Sequence, residues 1–302
     1  MSDVIKNKLS GILIRVTGGF YYVDCQGEVL ECKARGVFRK QGNAPVVGDR
    51  VEVELKKDGY HSLSSVLPRK NHLTRPPLAN LDRLFIVVSA TKPEPNTLVI
   101  DKLTAAASAI DVEPVIVFSK TDISSVDDLI KVYRKAGFTT IVYSDVTKEG
   151  VDEVKRLLKG KLSAFIGNSG VGKSTLLNNI LPDLGLKTAD ISDKLGRGRH
   201  TTRTVELFKL ESGFIADTPG FSTVDLIRYS LSNKEELMYA FPEFEDYIGN
   251  CRFTSCSHTV EKDCAVLNAV KNGEISPSRH LSYRQMYDEL KDVKSWELKK
   301  ES

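Results

Sequence analysis

Over the first 70 residues, short apolar runs alternate with polar positions and are cut by Gly, Asp and Asn: GILIRVTGG, FYYVDC, GEVLECKARG and GDRVEVEL. Period-two alternation bounded by such residues predicts strands. A set of short strands hides its edges most simply by closing into a small barrel, with or without a ligand. From Leu81 the pattern changes. LFIVVSA (84–90), PVIVFSK (114–120), TTIVYS (139–144) and LSAFIG (162–167) are continuous apolar runs. Between them, NTLVIDKLTAAASAI (96–110) and SVDDLIKVYRKAG (125–137) have helical spacing. Buried strands alternating with helices predict a mostly parallel α/β sheet covered on both faces. After Gly220 the strands stop, and residues 222–302 read as mainly helical. The last helix, over 277–300, places Leu281, Tyr287, Leu290, Val293 and Leu298 toward one face. The chain is thus expected to be multidomain: an all-β barrel over 1–70, an α/β domain over 71–221 and a helical domain over 222–302.

At 302 residues with 41% hydrophobic content, the chain fills two or three ordinary cores. It has no run of about 18 apolar residues, and its start, MSDVIKNKLSG, lacks the apolar stretch of a signal peptide. The expectation is a cytoplasmic protein without membrane contact, acting as a monomer. The net charge of +3 divides unevenly, with 12 Lys/Arg against 8 Asp/Glu over residues 1–70 and 11 against 14 over residues 221–302. The basic front is compatible with a nucleic-acid surface, although an excess this small is usually an ordinary solvated face. Of five cysteines, three fall within residues 251–264 while Cys25 and Cys32 stand apart. That distribution suits a reducing compartment and a metal site better than disulfides, and leaves Cys25 and Cys32 as core or edge side chains.

GNSGVGKST, Gly167 to Thr175, follows an apolar strand and opens a helix, the context that a phosphate-binding loop requires. Gly167, Gly170 and Gly172 let the main chain approach the phosphates. The amides of Asn168, Ser169, Val171 and their neighbours point at them from a helix N-terminus. Lys173 reaches the terminal phosphates, Ser174 completes the shell of Mg²⁺, and Thr175 follows in the first helical turn. DTPG, Asp217 to Gly220, ends the short strand GFIAD. Asp217 is suited to hold magnesium through water and the Gly220 amide to touch a terminal phosphate. Between the two runs ISDKLGRGRHTTRTVEL, which reads as a solvated loop or as a switch segment whose Thr201 or Thr202 joins the metal shell.

SKTD, Ser119 to Asp122, ends the strand PVIVF, so it lies at the carboxyl end of the sheet where open α/β folds bind ligands. The Asp122 carboxylate matches the imino and amino donors of guanine, which adenine lacks, and the Lys120 stem can lie against the purine. Thr121 completes the motif. Ser119 stands where NKxD motifs carry asparagine, which predicts weaker guanine affinity. Ser144 and Asp145 fit either a backbone-amide contact to the base or an ordinary strand end. Guanine-nucleotide proteins usually carry the phosphate loop before the base motif. Here the order is exchanged, which points to a circular permutation.

Cys251, Cys256, His258 and Cys264 form C-x4-C-x-H-x5-C. Three thiolates and one imidazole suit a closed tetrahedral site for one structural Zn²⁺ without an open catalytic position. Buried free thiols are the alternative, in a stretch poor in apolar residues.

SKTD, GNSGVGKST, GRHTT (198–202), DTPG and the Cys/His cluster, in this order behind a β-barrel, resemble the RsgA (YjeQ/YloQ) family of circularly permuted GTPases. The resemblance covers essentially the whole chain. It implies an amino-terminal OB-fold on ribosomal RNA, a central GTPase domain and a zinc domain. Its members hydrolyse GTP to GDP and phosphate in late maturation of the small (30S) ribosomal subunit, stimulated by that subunit and alongside other maturation factors. OB-folds stack single strands on aromatics, and Phe20, Tyr21, Tyr22 and Phe38 are available for that or for the core. The residue after DTPG, Phe221, cannot orient water, so His200 of GRHTT is the catalytic candidate; contact with phosphate or rRNA is its other reading. An assembly factor that uses GTP only as a sensor, and a P-loop kinase, are the rival readings.

Overall fold

The computed structural model describes residues 8–34, 38, 44–57, 59–181, 205–217, 230–231 and 233–291. In chain order it starts with strands β1 (Lys8–Thr17), β2 (Phe20–Cys25), β3 (Glu28–Ala34), β4 (Arg50–Glu54) and β5 (His61–Val66). A two-stranded ribbon, β6 (His72–Leu73) and β7 (Leu78–Ala79), follows. Next come β8 (Arg83–Ser89), α1 (Thr97–Ala109), β9 (Glu113–Ser119), α2 (Asp127–Lys135), β10 (Thr139–Tyr143), α3 (Val151–Leu158), β11 (Leu162–Ile166) and α4 (Lys173–Ile180). Strands β12 (Glu206–Lys209) and β13 (Phe214–Asp217) precede two 3₁₀ turns, Leu237–Ala240 and Pro242–Tyr247, and helices α5 (Ala265–Lys271) and α6 (Pro277–Lys291). Among the described residues no helix is long and apolar enough to cross a membrane.

The chain divides into two compact units. The first holds residues 1–82, 158–164 and 189–221. Its strands run in the order β1-β2-β3-β5-β4, and β4 returns to pair with β1, closing a five-stranded barrel. Alternation explains the closure: Val51 and Val53 point in while Arg50, Glu52 and Glu54 face out. Leu13, Val23, Cys32, Val51, Val53 and Leu63 are fully buried inside. Cys25 and Cys32 are core side chains, as expected. In the same unit β12 pairs antiparallel with β13 and meets β1 at Arg15 and Glu206. The first residues of β11 pair parallel with β13.

The second unit holds residues 83–157, 165–188 and 222–302. Here β8, β9 and β10 form a parallel sheet in register from Arg83↔Glu113 and from Thr139↔Val115. Their central residues are buried on both faces, as continuous apolar runs demand. Helix α1 starts at Asn96, whose side chain accepts from the Val99 amide at 3.2 Å. Residues 277–291 are helical, but α6 does not bury the predicted face where it is described: Tyr287 and Leu290 are only half-buried, and Val293 and Leu298 lie outside the described residues. Leu281 is 54% exposed, whereas Arg279, His280, Tyr283 and Met286 are buried. The reason is electrostatic: Arg279 donates to Asp101 of α1 and to Glu243, each at 2.7 Å, and lies 4.5 Å from the Phe241 ring centroid. Pairing lets a cation occupy the core position that a hydrophobic count gives to leucine.

Candidate functional site

Strand β11 ends at Ile166, and the chain then turns through the glycine-rich loop into α4. Only glycine fits at 167, because a Cβ there would lie 2.5 Å from the Val87 carbonyl oxygen on β8. Gly172, the N-cap of α4, has φ +90°, a left-handed conformation that glycine adopts without strain. These two positions let the loop hug the end of β8 and deliver Lys173 and Ser174, both half-buried, to the first turn of a helix. Asn168, Ser169, Gly170 and Thr175 are exposed and Val171 is buried. The positive end of the helix dipole makes this turn a favourable place for an anion.

The base motif leaves the end of β9 and meets that loop. The Ser119 hydroxyl donates to the Val171 carbonyl and also lies 3.2 Å from the Val88 carbonyl of β8. Lys120, at φ +59°, donates through Nζ to the Gly170 and Lys92 carbonyls, each at 2.7 Å. Thr121 donates its hydroxyl to the Tyr143 carbonyl at 3.1 Å. Asp122 accepts a 2.8 Å hydrogen bond from the Ser144 hydroxyl, which in turn accepts from the Val146 and Thr147 amides. Ser119–Asp122 and Gly167–Thr175 are thus brought together within one unit.

Two contributors here, Lys92 and Asn179, leave no signal in the sequence, and Ser144, expected as a backbone-amide contact, plays a different part. Ser144 acts through its hydroxyl, while its amide is spent on the Glu149 carbonyl at 3.3 Å. Lys92 contributes only a carbonyl, and Asn179 on α4 donates to Asp145 and Tyr143 Oη, each at 2.7 Å. Hydrogen bonds from Lys148 and then Asn179 hold the Asp145 carboxyl below its ordinary range. Burial pushes the Tyr143 phenol up to about 12. A clue existed only for Ser144 and Asp145, which stand at a strand end.

Asp217 is buried at the end of β13 in the first unit. His200, Thr201, Thr202 and Gly220 lie outside the described residues.

The donor atoms of Cys251, Cys256, His258 and Cys264 all lie within 4.8 Å of one another. Cys251 Sγ is 3.8 Å from Cys264 Sγ, and His258 Nδ1 is 3.5 Å from Cys251 Sγ and 3.4 Å from Cys264 Sγ. Tetrahedral ligands at ordinary zinc bond lengths stand about 3.8 Å apart for two sulfurs and about 3.6 Å for sulfur and nitrogen. The residues therefore fit such an ion. Burial holds the His258 imidazole below its ordinary pKa, leaving a neutral ring with a lone pair to give. Helix α6 seats the loop by its main chain: Tyr283 Oη donates to the Ser257 carbonyl at 2.7 Å, and His280 Nε2 lies 2.8 Å from the His258 carbonyl. Glu261 braces the middle. Burial pushes its carboxyl up, but the Ser257 hydroxyl and backbone amides outweigh this and hold it at about 2.

Two family models match the sequence, the RsgA N-terminal domain over residues 10–60 and the RsgA GTPase over residues 66–227. A small ribosomal subunit biogenesis GTPase RsgA of Caldanaerobacter subterraneus subsp. tengcongensis is 45% identical over 291 residues, covering 94% of this chain and 97% of that one. The protein of the same name from Geobacillus thermodenitrificans is 42% identical, with 94% and 98% covered. The crystal structure of YjeQ from Thermotoga maritima superposes with a TM-score of 0.80 at 37% identity, covering 95% of this chain and all of that one. YloQ, described as a circularly permuted GTPase, superposes with a TM-score of 0.79 at 31% identity over 97% and 99% of the two chains.

Proposed function

The chain belongs to the RsgA family of GTPases, and on that premise we propose that it acts in the cytoplasm, binds the immature small ribosomal subunit and hydrolyses GTP in its late maturation, stimulated by that subunit. One observation carries the nucleotide reading: Ser119 and Lys120 reach carbonyls of the phosphate loop, although the two motifs stand in exchanged order along the chain.

In the proposed site Asp122 selects guanine and Lys120 lies along the purine, while the α4 amides and Lys173 receive the phosphates. Ser174 and Asp217 would hold Mg²⁺, which would supply positive charge to offset that of the phosphates. A water oxygen attacks the γ-phosphorus, the bond to the β–γ bridging oxygen breaks in line, and GDP and phosphate leave. His200 orients that water, since Phe221 has no group to do so; Thr201 or Thr202 closes over the γ-phosphate with Gly220. Removal of His200 is expected to spare binding.

The Cys251, Cys256, His258 and Cys264 site takes Zn²⁺ as a structural ion that fixes the helical region. The barrel faces rRNA, and the domain limits 1–70, 71–221 and 222–302 describe the three working parts. The chain works as a monomer, displacing or joining other maturation factors.

Turnover of GTP and ATP, each with and without purified small subunits, tests this reading. GTP hydrolysis raised about tenfold or more by subunits, with ATP left untouched, is the expected result. Equal use of both nucleotides overturns the guanine site, and slow GTP turnover that subunits fail to raise overturns the enzymatic role in favour of a GTP sensor.

A further inference from the structure

Asn179 has no part in the roles above, yet it joins the two ends of the nucleotide site. It lies six residues after Lys173 on α4, about 9 Å along the helix axis. Asparagine has low helix propensity, and Asn179 stands one residue before the end of α4, so its contacts explain it. Both of its amide hydrogens are used, one on Asp145 Oδ1 and one on Tyr143 Oη, each at 2.7 Å. Its oxygen accepts from Lys148 Nζ at 3.1 Å, and Lys148 also pairs with Asp145 at 2.8 Å. Three of the four hydrogen bonds that the side chain can make are spent on the end of β10 and the turn that follows it.

That turn is the one beside the base motif. Ser144, the neighbour of Asp145, gives its hydroxyl to Asp122 at 2.8 Å and ties itself into the turn through the Val146 and Thr147 amides. A continuous path thus runs from Asn179 through Asp145 and Ser144 to Asp122. We propose that Asn179 is a positioning residue for guanine selection: it fixes the Ser144–Glu149 turn, and through it the Asp122 carboxylate, at a set distance from the helix that begins at the phosphate loop. Helix α4 then acts as a ruler, its first turn on the phosphates and its last turn setting where the base is read. Misplacement of Asp122 weakens guanosine nucleotides and leaves adenosine nucleotides, which draw nothing from that carboxylate, where they were. The inference rests on the guanine reading of the site.

The test is titration of GTP, GDP and ATP against the full chain carrying Asn179→Ala, together with steady-state GTP turnover. Affinity for GTP and GDP falls about tenfold, the loss expected for one or two net hydrogen bonds, while ATP affinity is unchanged. KM for GTP rises and kcat at saturation holds. Asp145→Asn keeps an oxygen for Asn179 and retains the wild-type GTP to ATP ratio. Asp145→Ala repeats the loss, and the double variant adds nothing further. Should Asn179→Ala melt below the assay temperature, Asp145→Ala reads the same contact from its other side. An unchanged GTP to ATP ratio in both alanine variants, or an equal fall for GTP and ATP, overturns the proposal. Wild-type protein that fails to prefer GTP defeats the guanine reading itself, a separate outcome.

Discussion

At the scale of single residues, the site is set by small side chains that hold main chain in place. Gly167 and Ser119 are the clearest cases. A methyl group at 167 would sit 2.5 Å from a backbone oxygen of β8, so strand or loop must move. Gly167→Ala is expected to cost about 1–3 kcal/mol, as overpacking does, and to weaken phosphate binding. Calorimetric melting and GTP titration of the variant check both. The residue types at 119–122 and 167–175 were legible in the sequence because glycine and lysine spacing encodes a main-chain shape. What Ser119, Ser144 and Asn179 touch was not legible, since a polar side chain in a sequence carries no record of which distant carbonyl or carboxylate it will meet. Even so, Ser119 makes sense in hindsight: a short hydroxyl suffices where the loop approaches as closely as Val171 does.

At the scale of elements, β8 to β11 and helices α1 and α2 match the sequence expectation within about a residue or two of their ends, because continuous apolar runs and helical period are strong signals; helix α3, Val151–Leu158, has no counterpart in that expectation. Strand β5, His61–Val66, was missed. Its sequence HSLSSV has little apolar content, and the strand exists because β3 and β4 pair with it on either side. The misread face of α6 has a different cause. Arg279 is 1% exposed between Asp101 and Glu243, and a pattern count treats every arginine as solvent-facing. Arg279→Ala leaves two buried carboxylates uncompensated and should destabilise the protein by about 3–5 kcal/mol, seen as a lower urea midpoint. The metal loop hangs on the same helix. Chelation is expected to raise hydrogen exchange over residues 251–264 before the parallel strands β8 to β10 respond. Exchange that stays level there after the ion is removed would refute a structural ion.

At the scale of the whole molecule, the exchanged order of base motif and phosphate loop was visible in the sequence, and so was the succession of barrel, α/β region and helices. The five-stranded closure of the barrel was legible only in outline. The division into compact units was not legible at all, because β12 and β13 follow a long sequence interval yet join the barrel. That union is narrow. Strand β12 has β13 on one side and, on the other, meets β1 at Arg15 and Glu206, with Lys209 gripping the buried carboxylate of Asp24 at 2.7 Å. Anyone trimming the chain ahead of residue 67 for easier production would therefore bare a flank of β12, leaving a raw selvedge of main-chain donors and acceptors open to other chains.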